Sequence, residues 1–242
     1  MKPPKGPGGR RPTKGGPAGG AQTRFSGRME KSRVRTAKKR SHASTRWLER
    51  QLNDPYVTEA RRRGFRSRAA FKLIELDSRF GLLKSGGRIV DLGAAPGGWT
   101  QVAAERIGPS GRIVACDVNE MDPIAGAAIL QLDILDDDAP ERLMEALGGQ
   151  ADLVMSDMAA PATGHAATDH LRIVALAEAA LDFAEKTLRP GGAFIAKVLQ
   201  GGSEKSLLDR LKKNFQSVRH AKPPASRADS AETYVVAKGF RP

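Results

Sequence analysis

From Arg88 onward, short apolar runs alternate with stretches of helical periodicity, and this alternation constrains the fold more than any other feature of the chain. The apolar runs fall at 88–92, 112–117, 127–133, 151–157, 193–199, 216–221 and 233–238. Helical spacing fits 98–107, 139–147, 168–188 and 203–214. Such alternation predicts an α/β fold: a doubly wound, mostly parallel sheet of seven strands with helices on both faces. The last two runs are joined too closely for a crossover helix, so they are expected to pair antiparallel at the end of the sheet. Upstream, Asp54-Pro55 reads as an N-cap and first helical position, with Gly64 as the stop. Ser67 is the expected cap of the next helix, which carries Ala70, Phe71, Ile74 and Leu76.

The chain has 242 residues and a formal net charge of +13, and the charge is unevenly placed. Residues 1–46 hold 14 Lys/Arg against the single acid Glu30, which alone gives +13. Residues 47–72 add +4, so the remainder carries −4. A polycationic N-terminal segment on a nearly neutral body points to nucleic acid as partner. Residues 1–42 are rich in Gly, Pro, Lys and Arg with almost no large apolar groups. They are expected to form a disordered basic tail, with order beginning near Ser44 to Trp47 and one domain over 43–242. No run of about 18 apolar residues predicts a membrane helix, and the basic N-terminus lacks the apolar core of a secretory signal. The lone Cys116 cannot form an internal disulfide, which suits a reducing, cytoplasmic compartment. A monomer is expected.

Four acidic residues, Asp91, Asp117, Asp133 and Asp157, stand at predicted strand ends, where open α/β sheets bind ligands. The first strand leads into Gly93-Ala94-Ala95-Pro96-Gly97-Gly98-Trp99, whose small residues allow close backbone approach before a helix N-terminus. The same residues would also serve a plain strand-to-helix turn. Ala95 stands where a G-x-G-x-x-G loop needs its second glycine, and no G-x-x-x-x-G-K-[ST] occurs. A nucleoside without a pyrophosphate therefore fits better than NAD or ATP. Asp117 can accept ribose hydroxyls and Asp133 an adenine amino group, although either acid alone could be a helix cap or a solvated strand end.

The run Asp91 to Trp99 (DLGAAPGGW) resembles the FtsJ (RlmE) family of RNA 2′-O-methyltransferases. SRAAFKL at 67–73, ACDVNEMDP at 115–123, VMSDMA at 154–159, AKVLQG at 196–201 and SRADSAETYVVA at 226–237 agree in the same order. The resemblance spans about 44–242 and not the tail. It implies a Rossmann-like methyltransferase fold and S-adenosylmethionine as the methyl donor. It also implies a uridine ribose 2′-hydroxyl of 23S ribosomal RNA, within the large subunit, as target. The family's cofactor contacts match Gly97, Trp99, Asp117, Asp133 and Asp157, and its catalytic set matches Lys72, Asp157, Lys197 and Glu232. Met121-Asp122-Pro123 is kept, whereas Ala160-Pro161-Ala162 departs from the family's proline and asparagine after the fourth strand.

The chemistry asks for such a set. A ribose hydroxyl is a poor nucleophile, so transfer needs in-line placement and removal of the hydroxyl proton. An ordinary lysine is protonated at neutral pH, and burial beside a second cation is the route to a base. That makes Lys197 the candidate base and Lys72 the candidate positioner of the nucleotide, with Asp157 and Glu232 orienting both ammonium groups. Taken singly, Lys197 would pass for a surface lysine and Glu232 for a solvated strand start. Cys116 reads as a buried small hydrophobe, His42, His165, His170 and His220 show no metal-ligand pattern, and Asp136-Asp137-Asp138 reads as a solvated helix start. No metal is expected. Arg61, Arg62, Arg63, Arg66 and Arg68, just before Lys72, form a candidate phosphate-binding face, against the alternative of an exposed helix end. Competing functions are ribose methylation of tRNA and a non-catalytic RNA-binding assembly protein; the glycine pattern argues against an NAD oxidoreductase.

Overall fold

A computed structural model describes residues 45, 48, 49, 51–161, 163–200 and 205–242. The expected tail over 1–42, the onset of order at Ser44 to Trp47 (Thr45 apart), Ala162 and the expected helix start at Ser203 lie outside the described residues.

Two helices precede the sheet: α1 (Pro55–Arg62) and α2 (Ala69–Phe80). Asp54 caps α1 as expected, accepting from the Tyr56 N–H at 3.0 Å with Pro55 in the first turn. Such a cap stabilises a helix by about 1 kcal/mol. Gly64, at φ +74°, ends it. Ser67 does not cap α2. Arg68 holds the N-cap position without a side-chain cap bond, and the buried Ser67 hydroxyl has no partner among the described residues.

The sheet then follows as β1 (Arg88–Leu92), α3 (Gly98–Ile107), β2 (Arg112–Asp117), β3 (Ala127–Gln131), α4 (Ala139–Leu147) and β4 (Ala151–Ser156). It continues through α5 (Ala166–Thr187), β5 (Leu188–Leu199), α6 (Lys205–Asn214), β6 (Phe215–Ala221) and β7 (Glu232–Phe240). The strand order is β3-β2-β1-β4-β5-β7-β6. The first five strands are parallel, and β7 runs antiparallel to both β5 and β6. β7 therefore inserts between its neighbours and leaves β6 as the edge, which the short β6–β7 connection allows.

Period-two alternation sorts the strand side chains into two cores. Val90, Val114, Val154, Phe194 and Val235 pack with Leu143 of α4, Leu181 of α5 and Leu207 and Leu211 of α6. Ile89, Ile113, Met155, Ile195 and Tyr234 pack with Leu73 and Leu76 of α2 and Trp99 and Val102 of α3. Truncating such a buried leucine to alanine costs about 2–5 kcal/mol. The second core matters most for function, because Asp91, Lys197 and Glu232 share the strand parity of its members and so face α2.

Several boundaries differ from the sequence pattern, most of them by one or two residues, and three of the differences matter for the site. β5 begins at Leu188, not Ala193: Leu188 pairs with Ala151, and a register shift absorbs Pro190-Gly191-Gly192. Those turn residues hide an extended backbone, and Gly191 at φ +80° supplies the irregular step. The helix before it accordingly ends at Thr187. β3 stops at Gln131, so Asp133 sits in the turn beyond the strand rather than at its end.

Candidate active site

The cleft opens at the carboxyl ends of β1, β4 and β5 and beneath α2. One part, of about 490 Å³, is lined by Lys72, Asp91, Gly93, Trp99, Asp157 and Glu232 among others. A second part, of about 730 Å³, extends over Asp117, Val118, Asp133, Leu135 and Met158. Gly93, Ala95 and Asp157 belong to both. Gly93 has φ +70°, and a Cβ there would fall 2.3 Å from the Met158 Cγ, so only glycine lets the two loops meet.

Four charged side chains converge at this end: Lys72, Asp157 and Glu232 line the cleft, and Lys197 reaches it only through its contacts with Asp157 and Glu232. Lys72 comes from α2, Asp157 follows β4, Lys197 lies in β5 and Glu232 starts β7. Lys197 Nζ lies 2.8 Å from the Asp157 Oδ1 and donates to the Asp157 carbonyl at 2.8 Å, with Glu232 at 3.8 Å. Lys72 Nζ lies 2.9 Å from Glu232 and 3.6 Å from the Asp157 Oδ2. Both lysines are buried, at 8% and 9% exposure, so their charges depend on these partners rather than on water. Asp157 is half-buried, its side chain 16% exposed. Burial pushes its carboxyl up, but the charges of Lys197 and Lys72 and hydrogen bonds from Lys197 and Tyr234 outweigh that and hold it below the usual carboxylate range. It is an ionised anchor between two cations.

Tyr234 completes this end. It faces Lys197 across the β5–β7 ladder, its hydroxyl donates to the Asp157 Oδ1 at 2.6 Å, and its ring lies 5.7 Å from the Lys72 Nζ. Burial, then the charges of Asp157 and Glu232, push its phenol well above 10, so it stays a neutral donor. Sequence reading passed over it. The signal available was its place two residues after Glu232, on the same strand face. Ser226 supports Glu232 in turn, its hydroxyl donating at 2.7 Å.

Asp91 is the contrast. It accepts from the Thr100 hydroxyl at 2.7 Å, and its buried Oδ1 has no partner among the described residues. Burial pushes this carboxyl up to about 7; the Thr100 bond opposes the rise, and the charges of Asp157 and Asp117 add to it. An acceptor of this kind in a cleft wall calls for a donor from a ligand. Trp99 is 3% exposed, packs 5.6 Å from the Tyr234 ring and gives its indole N–H to the Ala69 carbonyl at 2.9 Å. It can offer a ligand its ring but not that donor.

In the second part, the Asp117 carboxylate accepts from the Ala95 N–H at 2.9 Å and from the Asn119 N–H and side-chain amide, each at 2.8 Å. A carboxylate has about four lone-pair sites, so both hydroxyls of a ribose are accommodated only if the Asn119 amide turns away. Asp133 accepts from the Leu135 N–H at 3.0 Å through Oδ1, which leaves Oδ2 for a ligand. Val118 and Leu135, 57% and 66% exposed, offer apolar surface on either side. Gly97 lies at the N-terminus of α3 at φ +104°. Cys116 is buried, and burial pushes its thiol up to about 12, as suits an inert filler. Asp136, Asp137 and Asp138 are exposed at the start of α4.

The five arginines do not form one face. Arg61, Arg62 and Arg63 are exposed at the end of α1, with Arg62 and Arg63 both paired to Glu59 at 2.6 Å. Arg68 turns inward, paired with Asp54 at 3.1 Å and bonded to the Ala225 carbonyl. Arg66 is committed to backbone carbonyls of the cleft loops. Sequence spacing could not show this, because every acceptor but Glu59 is remote in the chain.

Among the described residues, no helix is long and apolar enough to cross a membrane. Comparison with known proteins agrees with the geometry. A ribosomal RNA large subunit methyltransferase E from Paramagnetospirillum magneticum is 64% identical over 236 residues, covering 96% of this chain and 94% of that protein. One of the same name from Granulibacter bethesdensis is 63% identical, covering 86% and 90%. The crystal structure of a ribosomal RNA methyltransferase from Plasmodium falciparum superposes with a TM-score of 0.65 at 34% identity, covering 73% of this chain and 98% of that one. The family model described as FtsJ-like methyltransferase matches residues 65–240. The family model and these relatives span most of the chain, and the chain belongs to the FtsJ-like methyltransferase family.

Proposed function

We propose that this protein transfers a methyl group from S-adenosylmethionine to the ribose 2′-hydroxyl of a uridine in 23S ribosomal RNA, acting in the cytoplasm on the large subunit. The observation that carries this reading is the convergence of Lys72, Asp157, Lys197 and Glu232 at the wall of a cleft whose other end offers Asp117 and Asp133. Asp91 supports the cofactor: its partnerless oxygen fits a ligand that carries an ammonium group, as a nucleoside-linked amino acid does. Relatives at 58–64% identity bear names that specify large-subunit ribosomal RNA.

When bound, S-adenosylmethionine supplies an already activated methyl sulfonium. The chain's residues then have three tasks. Gly97, Asp117 and Asp133 hold the nucleoside, with Trp99 as a ring wall. Lys72, tied to Glu232, positions the target nucleotide. Lys197, held by Asp157, takes the hydroxyl proton when it stands as a neutral amine, having first given up its own proton, and Asp157 stays anionic to pair with the ammonium that results. Arg61, Arg62 and Arg63, on the surface of the single domain over 43–242, supply phosphate contacts together with the basic residues of 1–42.

The test uses large subunits from a strain lacking this gene, incubated with purified protein and S-adenosylmethionine, then digested for mass spectrometry. The expected result is one new 2′-O-methyluridine in 23S RNA. Methyl groups appearing only in tRNA, or on a base, would overturn the reading.

A further inference from the structure

Arg66 stands among the arginines expected to meet RNA, yet its guanidinium is occupied within the protein. Nη1 donates to the Pro96 carbonyl at 3.2 Å and to the Asp122 carbonyl at 2.8 Å, and Nη2 donates to the Pro123 carbonyl at 2.7 Å. Pro96 lies in the loop between β1 and α3, and Asp122 and Pro123 lie between β2 and β3. These loops carry Gly93 and Ala95 on one side and follow Asp117 on the other, so one side chain bridges the walls of the nucleoside half of the cleft. The base of the arginine is fixed as well. Its backbone N–H donates to the Gln101 Oε1 at 2.8 Å, and the Gln101 amide donates to the Gly64 carbonyl at 3.1 Å.

Packing points the same way. A Cβ on Gly97 would lie 2.4 Å from the Ile124 Cδ1 and 3.3 Å from the Arg66 Nη1. Three segments distant in sequence thus close on one point that tolerates only glycine. A planar guanidinium can span two loops through a fork of donors, whereas a lysine presents one point charge. Met121-Asp122-Pro123, kept in register with the family, gains a local role here: consecutive carbonyls at Asp122 and Pro123 meet the same fork.

We propose that Arg66 is a positioning residue that clips the 93–97 loop to the 118–126 loop and so sets cofactor affinity, instead of contacting RNA phosphate. The proposal rests on the S-adenosylmethionine reading above. Arg66→Lys keeps the charge and loses the fork; Arg66→Gln loses both. The full chain carrying each change is titrated with S-adenosylmethionine by calorimetry, without RNA and well below its melting temperature. RNA binding is measured across a salt series in parallel, and KM is measured for each substrate. Both variants are expected to bind the cofactor about tenfold more weakly, with lysine nearly as poor as glutamine. KM should rise for S-adenosylmethionine but not for RNA, and the RNA salt slope should match the parent. Unchanged cofactor affinity, with a salt slope flattened by about 0.7–0.9 in Arg66→Gln and restored in Arg66→Lys, would overturn the clip in favour of a phosphate contact. Recovery of full cofactor affinity by lysine alone would also overturn it. If Arg66→Gln melts below the assay temperature, Arg66→Lys still decides between the two. A parent protein that binds no S-adenosylmethionine would defeat the underlying cofactor reading rather than the clip.

Discussion

At the Lys72–Lys197 end of the cleft, charges are buried and each is answered by another side chain; at the Asp117–Asp133 end, carboxylates are held largely by N–H groups two residues away. The first end comes from four elements spread between residues 72 and 232. The second is built from strand-end turns. Removing one partner from a buried charge set leaves another uncompensated, which costs far more than losing an exposed ion pair. A carboxylate in a local turn is cheaper to remove and matters mainly to what it binds. The two ends should therefore fail differently when altered, one in chemistry and the other in affinity.

The largest effect is expected from Lys197→Ala. Loss of the proton acceptor should lower turnover by roughly two to four orders of magnitude while leaving S-adenosylmethionine affinity nearly intact. Near-parent turnover at saturating substrates would erase the distinction between the ends.

Deleting residues 1–42 should touch neither end. That segment holds 13 of the 40 Lys/Arg. Three simultaneous phosphate contacts would flatten the dependence of log K on log salt by roughly 2–3 units. Turnover at saturating RNA should stay close to the parent. Binding measured at several salt concentrations checks this, and identical slopes for both chains would exclude an RNA tether.

Asp117→Ala tests the affinity end. It removes acceptors from the cofactor ribose and frees the Ala95 and Asn119 donors. Losing charge-assisted bonds costs about 1.5–3 kcal/mol, or roughly tenfold or more in affinity. Calorimetry that shows unchanged binding would contradict the assignment.

The smallest effect sharpens the contrast between Asp157, half-buried beside two lysines, and Asp91, buried with no cation beside it among the described residues. Asp91 has a folded pKa of about 7 against an ordinary value of 3.8. Between those values the folded state holds a proton that the unfolded chain has released, so this group's contribution to stability falls as pH rises from about 4 to 7. Asp91→Asn removes the penalty. The melting temperature of the variant relative to the parent should therefore climb by a few degrees across that window. A difference that stays flat with pH would mean Asp91 is ionised in the folded protein.

The placement of the carboxylates at the Asp117–Asp133 end was legible in advance because its geometry is local. Gly93, Asp117 and Asp133 could be placed from the alternation of runs, though Asp133 fell two residues beyond its strand. The tetrad was identified only through resemblance to a family: Lys197 alone looks like a surface lysine, and its partner Asp157 is 40 residues away. The directions taken by the arginines were hidden for the same reason. A run of basic residues suggests a face, but Asp54, Ala225, Asp122 and Pro123 turn Arg68 and Arg66 inward.

The sequence by itself determined the parallel α/β plan, the antiparallel close of the sheet, the Asp54 cap and the position of the small-residue loop after β1. These follow from hydrophobic periodicity, turn chemistry and connection length, all of them local. Tertiary structure alone decided that β7 inserts between β5 and β6, which brings Glu232 and Tyr234 beside Lys197. It also decided that Arg66 joins two loops, and that Asp91 is buried without a cation while Asp157 has two. Those outcomes depend on which distant groups share a low-dielectric space, and pairwise charge and hydrogen-bond energies there are set by distances of a few ångströms that no local pattern encodes.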